Sequence, residues 1–236
     1  MWRGQGGAWD VLSIGTVGPL WSVWTPDGNS LWAGGDALIS GDTSGAPWNA
    51  SAPATYRRVR GSSSASFWSV EKAVHFSNRM APWPQDGSQL WGLLVFGDYD
   101  VWVSAASGAI FHWSAEPNLQ WRTIPPPSPA HALYALAGLT TKDVWAVGDA
   151  GAIRHWNGAQ WSDVASGTTQ PLRGIWVKSA NEAWTVGGAG TILKWDGMHW
   201  ATSASGTKRS LYGVVGDASG NIFAVGEQAT ILRRSP

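Results

Sequence analysis

Six large side chains recur at one place in this sequence: Trp21, Arg57, Trp91, Tyr134, Arg173 and Tyr212, each directly after a leucine or tyrosine that opens a similar segment. Flat π-faces and guanidinium donors suit a sugar ring, the first by stacking on its C–H face and the second by hydrogen-bonding its hydroxyls. The same residue types anchor protein–protein contacts. This column is the leading candidate for a ligand surface, and it is expected around the mouth of a channel. The simpler alternative is packing, in which amphipathic side chains cover seams between sheets and keep their tips wet.

A second group of candidates lies further along each segment. Trp156 and Trp161 flank an Asn-Gly turn, and Trp195 and Trp200 flank an Asp-Gly turn. Cross-strand aromatic pairs stabilise hairpins, and an outer position would leave these indoles open to sugar stacking. His112 and His155 share a column with His75, Lys194 and Arg233. Equivalent positions in successive repeats are too far apart to share one metal ion, so a basic or hydrogen-bonding rim is expected and no metal site. Trp32, Trp68, Trp102, Trp145 and Trp184 form a further column, mid-strand, where core packing is expected.

No catalytic set emerges. The chain has no G-x-S-x-G, H-E-x-x-H or phosphate-binding glycine loop, and its acidic residues lack the spacing of a calcium loop. Asp36, Glu71, Asp149 and Glu227 fall in or beside equivalent loops, where a salt-bridged rim with Arg57 and Arg173 is expected rather than an acid–base pair. The expectation is a binding protein without catalytic residues and without a cofactor.

The elements that position these residues follow from an internal period. Leu133, Leu172 and Leu211 are 39 residues apart, and Trp145, Trp184 and Phe223 keep the same spacing, as do Gly148, Gly187 and Gly226. Earlier copies open at Leu20, Tyr56 and Leu90. Each copy reads as four short strands: an L-x-small-apolar segment, a DVWAVG-type segment, a GAIRHW-type segment, and a fourth strand after the turn. Six such units predict an all-β fold, a six-bladed β-propeller with four-stranded blades. The blades are expected at about 20–55, 56–89, 90–132, 133–171, 172–210, and 211–236 joined by 1–19. The last copy stops after ILRRSP, and Trp2 to Pro19 resembles the missing piece, with Trp9 in the place of Trp161. An N-terminal strand closing the last blade selects a ring over an open stack, which would need caps.

Composition agrees with this reading. Of 236 residues, 44% are apolar and 14% charged, with 16 basic and 16 acidic side chains. A core can be buried, and a neutral chain has no electrostatic footprint for nucleic acid or an anionic membrane. No apolar run is long enough to insert in a bilayer. There are 19 tryptophans, 30 glycines and no cysteine, which excludes disulfides and thiolate metal sites. A monomer is expected. The N-terminus lacks the basic and apolar regions of a signal peptide; an extracellular or cell-surface setting, as part of a longer exported chain, is the first expectation, and a cytoplasmic one is the alternative.

The W-x-V-G…G-x-I-x-x-W-x-G…W pattern, from Trp145 to Trp161 and from Trp184 to Trp200, resembles the tryptophan-rich propeller repeats of bacterial, often cell-surface, proteins. More faintly it resembles the Asp-box repeats of sialidase-like propellers, although aspartate and S/T-W do not occur in order. The WD-repeat pattern fits less well, because no blade ends in Trp-Asp. The resemblance implies a propeller fold, and propellers host binding modules, scaffolds and enzymes alike. On the tryptophan load, a lectin-like carbohydrate-binding module is the first functional expectation. A protein-interaction or surface scaffold is the second, and a hydrolase or lyase the third.

Overall fold

A computed structural model describes the strands of the N-terminal part up to Met80, and then residues 86–114, 120–216 and 220–234. The chain divides into two compact units, Met1–Trp83 and Pro84–Pro236. It is all-β, built from antiparallel sheets whose strands follow one another in sequence order.

The N-terminal unit contains a hairpin of β1 (Trp2–Gln5) and β2 (Ala8–Val11). Two four-stranded sheets follow. The first is β3 (Leu20–Trp24), β4 (Ser30–Gly35), β5 (Leu38–Asp42) and β6 (Asn49–Ala50). The second is β7 (Arg58–Ser63), β8 (Ser66–Val70), β9 (Val74–Phe76) and β10 (Arg79–Met80).

Three more sheets of the same design, and one of three strands, make up the C-terminal unit. They are β11 (Leu90–Gly97) to β14 (Gln120–Ile124), through β12 (Asp100–Ala105) and β13 (Ile110–Ser114); and β15 (Leu133–Thr140) to β18 (Trp161–Asp163), through β16 (Asp143–Gly148) and β17 (Ile153–Trp156). Then come β19 (Leu172–Ser179) to β22 (Trp200–Thr202), through β20 (Glu182–Gly187) and β21 (Ile192–Trp195), and finally β23 (Leu211–Gly216), β24 (Ile222–Gly226) and β25 (Ile231–Arg234).

The sequence explains this repetition. In the DVWAVG segment both faces of the strand are buried, because β16 lies between the sheet before it and the sheet after it. Alternating large and small apolar residues serve the two faces. One seam joins Trp102, Ile110 and Leu133 to Val144 and Ala146. The next joins Trp145, Val147 and Ile153 to Leu172, Leu193 and Trp200. The third strand turns into the fourth at Asn157-Gly158 and Asp196-Gly197. There the Asn157 and Asp196 side chains accept backbone N–H groups at 2.8–3.0 Å, and Gly158 and Gly197 take φ of 91° and 100°, a region glycine enters freely.

One expected alignment is corrected. His75 was placed in the column of His155, which pairs with Trp145. In the observed register Trp68 pairs with Phe76, and His75 pairs with Ser69. The shorter connection from β8 to β9 moves the pairing by one residue, and a one-residue slip exchanges faces.

Candidate binding surface

Each first strand of the C-terminal unit opens on a buried leucine: Leu90, Leu133, Leu172 or Leu211. The ladder then skips one residue, between Leu90 and Gly92, Leu133 and Ala135, Leu172 and Gly174, and Leu211 and Gly213. The skipped residues are Trp91, Tyr134, Arg173 and Tyr212. A bulge of this kind kinks the strand and re-aims one side chain. The column singled out from sequence is therefore a column of bulges. Trp21 stands at the same register shift, between Leu20 and Ser22, and Arg57 lies outside the described residues.

The bulged side chains meet across successive sheets. The rings of Trp91 and Tyr134 pack edge to face with centroids 5.5 Å apart. The Arg173 guanidinium lies 5.1 Å from the Tyr134 ring and 5.8 Å from that of Tyr212, a cation–π placement on both sides. Tyr212 is exposed, and its hydroxyl donates to Glu227 at 2.9 Å. Glu227 also accepts the Ser210 amide at 3.0 Å. The result is a continuous strip, Trp91–Tyr134–Arg173–Tyr212–Glu227, along one edge of four consecutive sheets.

The electrostatics of the strip follow from these contacts. The Ser210 amide, then the Tyr212 phenol, hold the Glu227 carboxyl below its ordinary pKa. The bond to Glu227 raises the Tyr212 phenol, while burial, reinforced by Asp149, raises Tyr134. At neutral pH the strip thus carries neutral phenols, one guanidinium and one carboxylate. Glu227 and Asp149 occupy the loops between second and third strands, where an acidic rim near Arg173 was expected. Asp36 and Glu71 lie outside the described residues.

The other candidates have structural places. His112 stacks on Trp102 at 3.6 Å and His155 on Trp145 at 3.9 Å. Each histidine Nε2 pairs with an aspartate that also accepts from the stacked indole: Asp100 at 3.1 Å and Asp143 at 2.7 Å for the histidines, 2.8 and 3.1 Å for the indoles. The third sheet repeats this with Glu182, Trp184 and Lys194, and the last with Asn221 and Arg233 opposite Phe223. Each sheet of the C-terminal unit thus sets an acceptor and a nitrogen-bearing side chain beside one aromatic ring. Among the described residues no group of three or more His, Cys, Asp or Glu converges as a metal site.

Trp156 and Trp161 pack on Trp102, each at 5.6 Å, and Trp195 and Trp200 pack on Trp145 at 5.0 and 5.6 Å. The indole N–H groups of Trp156 and Trp195 are spent on the carbonyls of Thr141 and Ala180. All four therefore pack into seams between sheets; Trp200 is buried, and Trp156, Trp161 and Trp195 keep part of their surface exposed. Sequence reasoning passed over Arg154, although the apolar residues in its column, Phe111, Leu193 and Leu232, mark it as the exception.

No family model matches the chain, and no curated protein does. Solved structures do. YCF48 bound to D1 peptide is similar at a TM-score of 0.75 and 16% identity, over 98% of this chain and 83% of that one. The WD40 repeats of RRP9 are similar at 0.80 and 11%, over 95% and 78%. A streptogramin B lyase is similar at 0.74 and 13%, over 92% and 83%. With the repeated four-stranded sheets, this likeness defines the class as a β-propeller fold. The propeller is a scaffold shared by a peptide-bound protein, a WD40 protein and a lyase, so the fold leaves the activity to the site.

Proposed function

We propose that this chain is a non-enzymatic, six-bladed propeller that binds a protein or peptide on the strip from Trp91 to Glu227. The observation that carries the reading is Arg173 lying against both Tyr134 and Tyr212. A guanidinium held by two rings is pre-organised, so less freedom is lost when it pairs with a partner. Tyrosine, tryptophan and arginine together are the composition of interface hot spots. Sugar stacking, the first expectation from composition, needs open aromatic faces, and here Arg173 lies over a face of each tyrosine. The solved neighbour with a D1 peptide supports the class of ligand only by analogy.

Ring closure belongs to the same proposal. The last sheet has three strands, β23 to β25, where its neighbours have four, and Arg234 covers Trp184 at 5.1 Å where Trp195 covers Trp145. A counterpart of Trp200 would complete that seam, and Trp9, which aligns with Trp161 in the sequence, is the residue proposed for it.

The test is a displayed random-peptide library and a glycan array probed in parallel with the wild-type chain and with Arg173→Ala. Selected peptides that lose binding to the variant support the reading. Glycan binding that survives the variant, with no peptide selected, returns the carbohydrate reading.

A further inference from the structure

Arg154 lies on β17 with 8% of its surface exposed. It precedes His155, the partner of Trp145, so its counterparts are the residues before His112, Lys194 and Arg233: Phe111, Leu193 and Leu232. Phe111 and Leu193 are buried, at 1%. One sheet thus buries a cation where its neighbours bury hydrocarbon. A buried charge is retained only against a strong penalty unless it is paired, and departures from a repeat concentrate where function intrudes.

The pairing within the chain is incomplete. Asp163, opposite on β18, places Oδ1 3.4 Å from Nε, but the Asp163 side chain is 65% exposed. Nη1 is shielded from water and has no hydrogen-bond partner, and Nε makes no bond of good geometry. The Trp161 ring lies 5.6 Å from the guanidinium carbon. Burial pulls the guanidinium below its ordinary pKa, and Asp163 restores part of the loss.

Arg154 is among the residues that line a cavity of about 740 Å³, within the range of small-molecule sites. Its wall includes His131, Pro127 and Pro129 of the preceding connection, and Ser166 and Thr168 beyond β18. The Ser166 hydroxyl donates to the Thr168 carbonyl and accepts the Thr168 amide, so that edge is rigid. A planar guanidinium with an unmet N–H is completed by a planar two-oxygen anion. Asp163 already contributes one negative charge beside the single cation, which disfavours a dianion such as phosphate. The apolar prolines suit an organic body.

We propose that this cavity is a carboxylate-binding site in which Arg154 receives the anion, separate from the bulge strip. The carboxylate comes either from a free organic acid or from the terminus of a peptide.

The test is thermal unfolding and calorimetry of the full chain with acetate, succinate, trialanine, amidated trialanine and inorganic phosphate. Wild type should show a saturable rise in melting temperature with at least one carboxylate and none with phosphate. Binding of trialanine but not its amide assigns the peptide terminus, and binding of acetate or succinate alone assigns a free acid. Arg154→Leu, which copies Leu193, should melt higher than wild type without ligand and show no ligand-dependent rise. Arg154→Lys should weaken binding about tenfold through loss of the two-point contact, and Asp163→Asn should tighten it. Absence of any carboxylate effect on wild type overturns the proposal, as does an equal effect on Arg154→Leu. If Arg154→Leu fails to fold, unchanged affinity in Arg154→Lys overturns it. Loss of strip binding in Arg173→Ala has no bearing on this result, so the two readings fail independently.

Discussion

The Tyr212 hydroxyl donates to Glu227 across 2.9 Å, joining the first strand of the last sheet to the loop after its second strand. Glu227 is held below its ordinary pKa, first by the Ser210 amide and then by this phenol. A carboxylate with a depressed folded pKa stabilises the fold above its unfolded value, and that contribution disappears as pH falls through the folded one. Stability should therefore drop on acidification from about pH 4.3 downward, the ordinary glutamate value. Glu227→Gln should lower stability at neutral pH, where the carboxylate contributes, and converge with wild type at low pH, so that part of the drop disappears. Urea midpoints measured across this range check it.

Trp145 and His155 differ in what they hold. Trp145 is buried against Trp195 and Trp200, and His155 stacks on its outer face beside Asp143. Trp145→Ala should cost about 3–5 kcal/mol through cavity formation. His155→Ala should cost about 0.5–1.5 kcal/mol, since it removes one stack and one hydrogen bond. Chemical denaturation of both variants checks the order.

Among the described residues, three other than glycine take φ of 51°: Ala150, Ala189 and Gln228. The left-handed region costs an L-residue about 1–2 kcal/mol, and the extra freedom of glycine in the unfolded chain returns about 0.5–1 kcal/mol of that. Ala189→Gly should therefore stabilise by about 0.5–1 kcal/mol, and Ala189→Val should destabilise. Differential scanning calorimetry of the pair reads the sign.

The proposed closure of the ring would make the N-terminal segment a part of the last blade. Deleting residues 1–19 should lower the melting temperature of the whole fold, and Trp9→Ala should lower it in the same direction by less. Unfolding identical to that of the full chain would leave the last sheet complete at three strands.

Much of this was legible in the sequence. The 39-residue period located the strands, and the two-residue turns at Asn157 and Asp196 located the hairpins. The tryptophan column proved to be core because both faces of β12, β16 and β20 are covered. The recurring column of Trp91, Tyr134, Arg173 and Tyr212 was visible, but the bulge at each was not, since a skipped ladder pair leaves no mark on spacing. His75 misled because a short connection moves the register by one residue. The packing expected of the hairpin tryptophans was legible from the turns, but their partners were not: Trp156 and Trp195 reach back to Trp102 and Trp145 in the preceding sheet. Arg154 stands out only where the repeats differ, since its column is otherwise apolar at Phe111, Leu193 and Leu232.

The central claim is that Arg173, braced by Tyr134 and Tyr212, is the anchor of a polypeptide-binding strip. Its most direct test is calorimetric titration of a library-selected peptide into wild type and Arg173→Ala, with melting temperatures measured alongside. The account predicts at least about a tenfold weaker Kd for the variant, the loss typical of a hot-spot residue, with the melting temperature nearly unchanged. Equal Kd values for the two proteins would contradict it.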